Sequence, residues 1–222
     1  MFRHIKEADR YKETLFFTIL SIICFSLSIF RLIYSDTYIF FFLNWNLFLA
    51  FIPWLCSSLI MVYPNLRKRK LALTILILSW LLFFPNAPYI LTDLFHLRMH
   101  TSMPIWFDLV LILCFAWTGL LFGIMSLWDI ERILGNYLNK FFVRAIAVAM
   151  LFLGSYGIYM GRYLRWNSWD ILTEPIAILF NVGRSLKDPI QHPGAWAMTV
   201  LMGIFLNMIY WSFHLIKNRE NS

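Results

Sequence analysis

Charge is scarce in this sequence. Asp, Glu, Lys and Arg make up 14% of its 222 residues, against about 25% in ordinary soluble domains. Hydrophobic residues fill 60%, more than a chain this short can hide in its interior, which excludes an ordinary soluble domain. Disorder is excluded from the other direction, because it needs low hydrophobicity and high charge. Cysteine is rare: Cys24, Cys56 and Cys114 show no Cys-x-x-Cys spacing. Each sits in a different apolar run and reads as a small core residue. Serine-protease, P-loop, Rossmann and His-Glu-x-x-His signatures are missing, and Gly-Arg-Tyr at 161–163 is no phosphate-cradling loop. Repeats, low-complexity tracts and linkers are missing too, so residues 1–222 read as one integral membrane domain.

What is present is a series of long apolar runs. Six approach the roughly 20 residues a bilayer-spanning helix needs: about 14–34, 39–62, 71–91, 105–128, 141–162 and 194–216. They are apolar on every side, whereas barrel strands would alternate with period two. The fold expected is therefore an all-α, polytopic membrane bundle of six helices. The first run exceeds a signal peptide's apolar core and is followed by no small-x-small site, so it reads as a span. A shorter piece, Ile171 to Gly183, is interrupted by Glu174 and Pro175 and reads as an interfacial segment between spans five and six.

The basic residues set the expected orientation. Arg3, Lys6, Arg10, Lys12, Arg67, Lys68, Arg69, Lys70, Arg132, Lys140, Arg144, Lys217 and Arg219 fall on one side. Arg31, Arg98, Arg162, Arg165, Arg184 and Lys187 fall on the other. The excess of basic residues places both termini in the cytoplasm. The net charge of +7 is then mostly topology, and nucleic acid is not an expected partner. Membrane lipids are, and a membrane-protein partner is possible.

On this reading the cytoplasmic side holds little beyond span-end charges, and the outer side collects the unusual residues. Pro85-Asn86-Ala87-Pro88-Tyr89 interrupts span three. Each proline lacks an N–H and clashes with the carbonyl one turn back, so carbonyls near 81–84 lose their helical partners. Asn86, Asn46 or water must satisfy them. The break is either a plain kink or a kink that shapes a cleft. If an α-helix resumes after Pro88, then Tyr89, Asp93, His96 and His100 share one face. That stripe suits a catalytic acid–base pair, with Asp93 orienting His96. It also suits a divalent metal on Asp93, His96 and His100, completed from Asp108, Asp170, Glu174 or His192. It suits equally a solvated loop in which Asp93 caps a short helix. Beyond span five, Arg162 and Arg165 are three apart and read as one helical face, with Trp166 and Trp169 beside them. Arg forks suit phosphate and indoles anchor at headgroup level. The same arginines could instead pair internally with Asp93, Asp108 or Asp170. Arg31 with Asp36 reads as a local pair at the rim of span one.

Three stretches carry a resemblance: Asn46–Pro53 (Asn-Leu-Phe-Leu-Ala-Phe-Ile-Pro), Pro85–Leu97 (Pro-Asn-Ala-Pro-Tyr-Ile-Leu-Thr-Asp-Leu-Phe-His-Leu) and Gly161–Asp170 (Gly-Arg-Tyr-Leu-Arg-Trp-Asn-Ser-Trp-Asp). They resemble a family of bacterial multi-pass membrane proteins known as domain of unknown function 1361, over about residues 20–215. The resemblance implies a bacterial cytoplasmic-membrane protein. It brings no activity, so no catalytic residue is inherited.

The leading expectation is an outward-facing polar cleft that binds or modifies an envelope substrate such as a lipid or lipid-linked precursor. Arg162 and Arg165 would hold an anionic head group, and Asp93 and His96 would act as an acid–base pair or metal ligands. Asn46 and Asn86 would orient the site, and Tyr89 and Asp170 would complete the substrate contacts. A small transporter or transporter subunit is one alternative, disfavoured by the lack of internal symmetry. A membrane assembly or scaffolding partner, docking through the loop between spans five and six, is the other.

Overall fold

The computed structural model describes residues 10–97, 103–188, 191 and 193–220. Arg3, Lys6, Arg98, His100 and His192 lie outside the described residues. All regular elements among the described residues are helical. Among the described residues six helices are long and apolar enough to cross a membrane: Tyr11–Ser35, Phe42–Val62, Lys70–His96, Ile105–Leu134, Lys140–Tyr163 and Pro193–Ile216. The chain divides into two compact units, Met1–Ile133 and Leu134–Ser222.

The first unit holds α1 (Tyr11–Ser35), α2 (Phe42–Val62), α3 (Pro64–Lys68), α4 (Lys70–Phe83), α5 (Asn86–Tyr89), a 3-10 helix (Ile90–His96) and α6 (Ile105–Leu134). Helix α1 stops at Asp36, which takes the left-handed conformation (φ 49°) and donates its N–H to the Leu32 carbonyl at 2.9 Å. Left-handed residues end helices because they turn the chain back on the last open carbonyls. At the end of α2, Arg67 does similar work from its side chain, donating to the Ile60 carbonyl at 2.9 Å. The core runs along α6, where Leu111, Ile112 and Phe115 are fully buried. The expected end of this span near residue 128 falls short, since α6 continues to Leu134. Its extra turn carries Asp129, which is 4% exposed and paired with Arg10, so the charge does not terminate the helix.

Span three is broken where the prolines predict. Helix α4 ends at Phe83, Phe84 and Pro85 form a turn, and α5 lasts one turn. The chain then winds as a 3-10 helix rather than resuming an α-helix. The orphaned carbonyls are repaired locally. Asn86 Nδ2 donates to the Phe83 carbonyl at 3.0 Å, and the Ala87 N–H donates to the Phe84 carbonyl at 3.2 Å. Helix α6 presents glycine to this break. A Cβ on Gly119 would lie 3.0 Å from the Ala87 carbonyl oxygen and 2.8 Å from Ile90 Cδ1. One on Gly123 would lie 2.9 Å from the Ala87 Cβ. Small residues four apart let helix backbones approach this closely in membranes.

The second unit holds α7 (Lys140–Tyr163), α8 (Asp170–Thr173), α9 (Pro175–Lys187) and α10 (Pro193–Glu220). Asn139 caps α7, its side-chain oxygen accepting the Phe142 N–H at 3.0 Å. Helices α7 and α10 pack along each other, with Gly203 of α10 against the Phe152 ring of α7. The segment expected at the interface is mostly α9, which starts at Pro175 because proline suits a first helical turn. Ile176, Leu179 and Phe180 form an exposed apolar strip on it, the pattern of a helix lying on a membrane. Its other face is tied down by Ser185, which meets the Tyr156 hydroxyl at 2.6 Å and whose carbonyl accepts from Trp196 Nε1 at 2.9 Å.

Candidate functional site

The break in span three sets the position of Asp93. A 3-10 helix has three residues per turn, so residues three apart eclipse. Asp93 and His96 therefore share an edge of the Ile90–His96 helix with Ile90, while Tyr89 turns to the neighbouring one. The expected α-helical stripe through Tyr89, Asp93 and His96 does not form, because the chain winds more tightly. Asp93 is 1% exposed. Its Oδ2 accepts from Asn46 Nδ2, on α2, at 2.8 Å. Asn46 thus serves the carboxylate, and Asn86 alone of the two asparagines serves the broken backbone. The His96 ring stands edge-on to Phe42, with centroids 5.2 Å apart. Thr92, also buried, bonds back to the Tyr89 carbonyl at 2.7 Å and tightens the same turn. Among the described residues no group of three or more His, Cys, Asp and Glu side chains could hold a metal ion.

Near this end of the first unit, Arg31 does not pair with Asp36. Its Nε and Nη2 donate to the two oxygens of Asp108, at 2.7 and 3.2 Å, across 77 positions of sequence. Both side chains are buried, at 2% and 0% exposure. Its Nη1 donates to Thr37 Oγ1 at 2.9 Å, and the guanidinium lies over the Phe40 ring. Asp36 is exposed, where water serves its carboxylate, whereas Asp108 is buried and needs a cation. This pair joins α1 to α6 and accounts for Asp108 as a structural acid.

The second unit carries Arg162, Arg165 and Asp170. Arg162 lies in the last turn of α7 and is half-buried. Helix α7 ends before Arg165, which takes a left-handed φ of 60° and is exposed. The shared helical face expected for the two arginines is therefore absent. The Met160 carbonyl accepts N–H groups from both Leu164 and Trp166, which folds the chain back at this point. Asp170 Oδ2 accepts from the Asn167 N–H at 2.6 Å and from Asn167 Nδ2 at 3.3 Å. The carboxylate thereby closes the Trp-Asn-Ser-Trp turn.

The opposite end of the first unit holds a second buried polar cluster that residue spacing alone did not disclose. Arg10, 4% exposed, pairs with Asp129 and donates from Nη1 to Ser58 Oγ at 2.6 Å. Ser57 Oγ donates to Asp129 Oδ2 at 2.8 Å. Arg10 reads in sequence as a topology charge. The available signal was Asp129 itself, an acid at the end of a long apolar run that must find a partner. The cysteines behave as expected of small packing residues: Cys24 and Cys56 are buried, Cys114 is half-buried, and all three are free.

A family model described as protein of unknown function (DUF1361) matches residues 45–209. No curated protein and no solved structure matches the chain.

Proposed function

The chain belongs to the DUF1361 family, and from that premise we propose that it binds or chemically modifies an amphiphilic envelope substrate at the Asp93 end of its first unit. The substrate class is a phospholipid or lipid-linked precursor. Asp93 is the observation that carries the reading. It is a carboxylate held at 1% exposure within a membrane-length helix, on backbone that prolines force out of the α form. An ionisable side chain kept inside a membrane segment is costly and usually functional. Asn46 fixes the carboxylate, and His96, one 3-10 turn on, can take or give a proton beside it. In the second unit, taken by itself, Arg162 and Arg165 carry guanidinium forks of the kind that hold an anionic head group. The excess of basic residues at the other span ends places the Asp93 end outside the cytoplasm.

The test compares the lipids and lipid-linked precursors of cells lacking the gene, by mass spectrometry, with those of cells complemented by wild type, Asp93→Ala, His96→Ala or Arg162→Ala. Each variant is first shown to reach the membrane at wild-type level. The expected result is a lipid profile that wild type restores and the variants do not. Full restoration by Asp93→Ala eliminates the site.

A further inference from the structure

Between Asp36 and Asp93 the sequence has no acidic residue. Within that stretch stand four consecutive basic residues, Arg67, Lys68, Arg69 and Lys70, where α3 meets α4. The fold engages one of them. Arg67 is half-buried and turns its guanidinium onto the end of α2, at the Ile60 carbonyl and the Met61 sulfur. Lys68, Arg69 and Lys70 are exposed, and their side chains make no ion pair or hydrogen bond among the described residues. Three positive charges therefore stand together without an acid to neutralise them.

What adjoins them identifies the partner. Helix α4 packs along α2 and buries Trp80. Half a turn round from Trp80, it leaves Leu71, Thr74, Ile75 and Leu78 exposed. These positions follow the i, i+3, i+4, i+7 spacing of a single helical stripe. Leu71 is 75% exposed and Leu78 59%. On a helix that crosses a bilayer, acyl chains cover such a stripe. From Leu71 to Leu78 is about 10 Å at 1.5 Å per residue, inside the roughly 15 Å of one leaflet's hydrocarbon. The apolar run begins at Leu71, so the three cations stand where the headgroup phosphates lie, and their long stems can reach them. The stripe makes the partner a lipid, and the unneutralised charge makes its headgroup anionic. A zwitterionic headgroup brings its own ammonium, and a soluble phosphate leaves the stripe uncovered.

We infer that Lys68, Arg69 and Lys70 hold the headgroup of an anionic phospholipid whose acyl chain lies along Leu71, Ile75 and Leu78. Arg69 offers its planar fork to two phosphate oxygens, and the lysines act as point charges. The site is at the opposite end of the Lys70–His96 span from Asp93 and does not depend on the function proposed there. Basic residues at a span end also set topology, but charges that serve insertion alone select no lipid afterwards. Native mass spectrometry of the full chain in a neutral detergent, titrated with dioleoyl phosphatidylglycerol or dioleoyl phosphatidylcholine, separates the two. One cation beside an anionic surface is worth about fivefold, so three should favour phosphatidylglycerol by about tenfold or more. Combining Lys68→Gln, Arg69→Gln and Lys70→Gln should reduce that preference to about twofold or less. Combining Lys12→Gln, Lys140→Gln and Lys187→Gln removes equal charge from other exposed positions and should leave it intact. Should the first combination fail to insert, wild type decides. Phosphatidylglycerol with a diazirine in its acyl chain should crosslink to Leu71–Leu78, and unlabelled phosphatidylglycerol should displace it where phosphatidylcholine or deacylated glycerophosphoglycerol does not. Equal affinity for the two lipids, equal loss in both combined variants, displacement by the deacylated headgroup, or crosslinks confined to other segments overturns the inference.

Discussion

The first unit contains two buried Arg–Asp pairs that join the same two helices at opposite ends, and they are built differently. Arg31 and Asp108 share two hydrogen bonds, and the remaining guanidinium nitrogen is taken up by Thr37 and Ser35. Arg10 and Asp129 share a contact reinforced by Ser57 and Ser58, but Arg10 also borders a slot of about 500 Å³. A charge pair sealed in protein has nowhere to turn when one partner is lost, because the survivor remains in a medium that cannot solvate it. A pair beside an opening can be rescued by water or a lipid polar group. The two pairs should thus differ in what their loss costs, although their composition is alike.

The largest effect is expected from Asp108→Ala, which strands Arg31 at 2% exposure and should cost about 3–5 kcal/mol. Thermal or chemical unfolding of the purified chain in one detergent measures it. Adding Arg31→Met and using Asp108→Leu should recover most of the loss, since an apolar pair of similar volume needs no solvation. Asp129→Ala should cost less, about 1.5–3 kcal/mol, the range for hydrogen bonds to a charged group. Ser58 and Glu13 remain near the guanidinium, which also borders the slot. Equal losses, or the reverse order, would mean that the slot gives Arg10 no relief.

These pairs also show what a sequence can and cannot disclose. Span positions were legible because lipid demands about 20 apolar residues whatever the neighbours are. The break at Pro85 was legible because it follows from a proline's own geometry, whereas Asn86 was only one of three repairs the sequence left open. Arg31 was assigned to Asp36, five residues away, because proximity along the chain is all a sequence shows. Its actual partner lies across 77 positions, selected by burial. Arg165 was read onto the helical face of Arg162 by extending α7 two residues too far. Helix ends depend on caps and tertiary contacts that periodicity does not encode. The role of Asn46 beside Asp93 was likewise hidden, because it depends on how α2 meets the 3-10 helix.

The candidate site gives a smaller effect that sharpens the contrast between the ends. Asn46→Ala removes the Nδ2 donor from Asp93 and should cost about 1–2 kcal/mol in the same unfolding assay, toward the lower part of the range for a buried acceptor losing a partner. Asp93 keeps other interactions, which limits the loss. The lipid profile of complemented cells should nevertheless change as much as with Asp93→Ala, since Asn46 positions the carboxylate. A variant with the full stability loss and an unaltered lipid profile would reduce this end to packing, like the Arg31 pair.

The smallest expected effect separates two left-handed residues among those described, Asp36 after α1 and Arg165 after α7. A Cβ in this conformation costs about 1–2 kcal/mol for most residues, and short polar side chains such as Asp tolerate it. Glycine removes that strain but adds unfolded-chain entropy. Arg165→Gly should therefore raise stability by about 0.5–1 kcal/mol, and Asp36→Gly by less than about 0.5 kcal/mol. A strained arginine on an exposed turn persists where the side chain is wanted. If Arg165 holds a head group, the stabilised Arg165→Gly protein should restore the lipid profile less well than wild type, and Asp36→Gly should match it. Equal restoration by both would make Arg165 an ordinary helix end that happens to carry a charge.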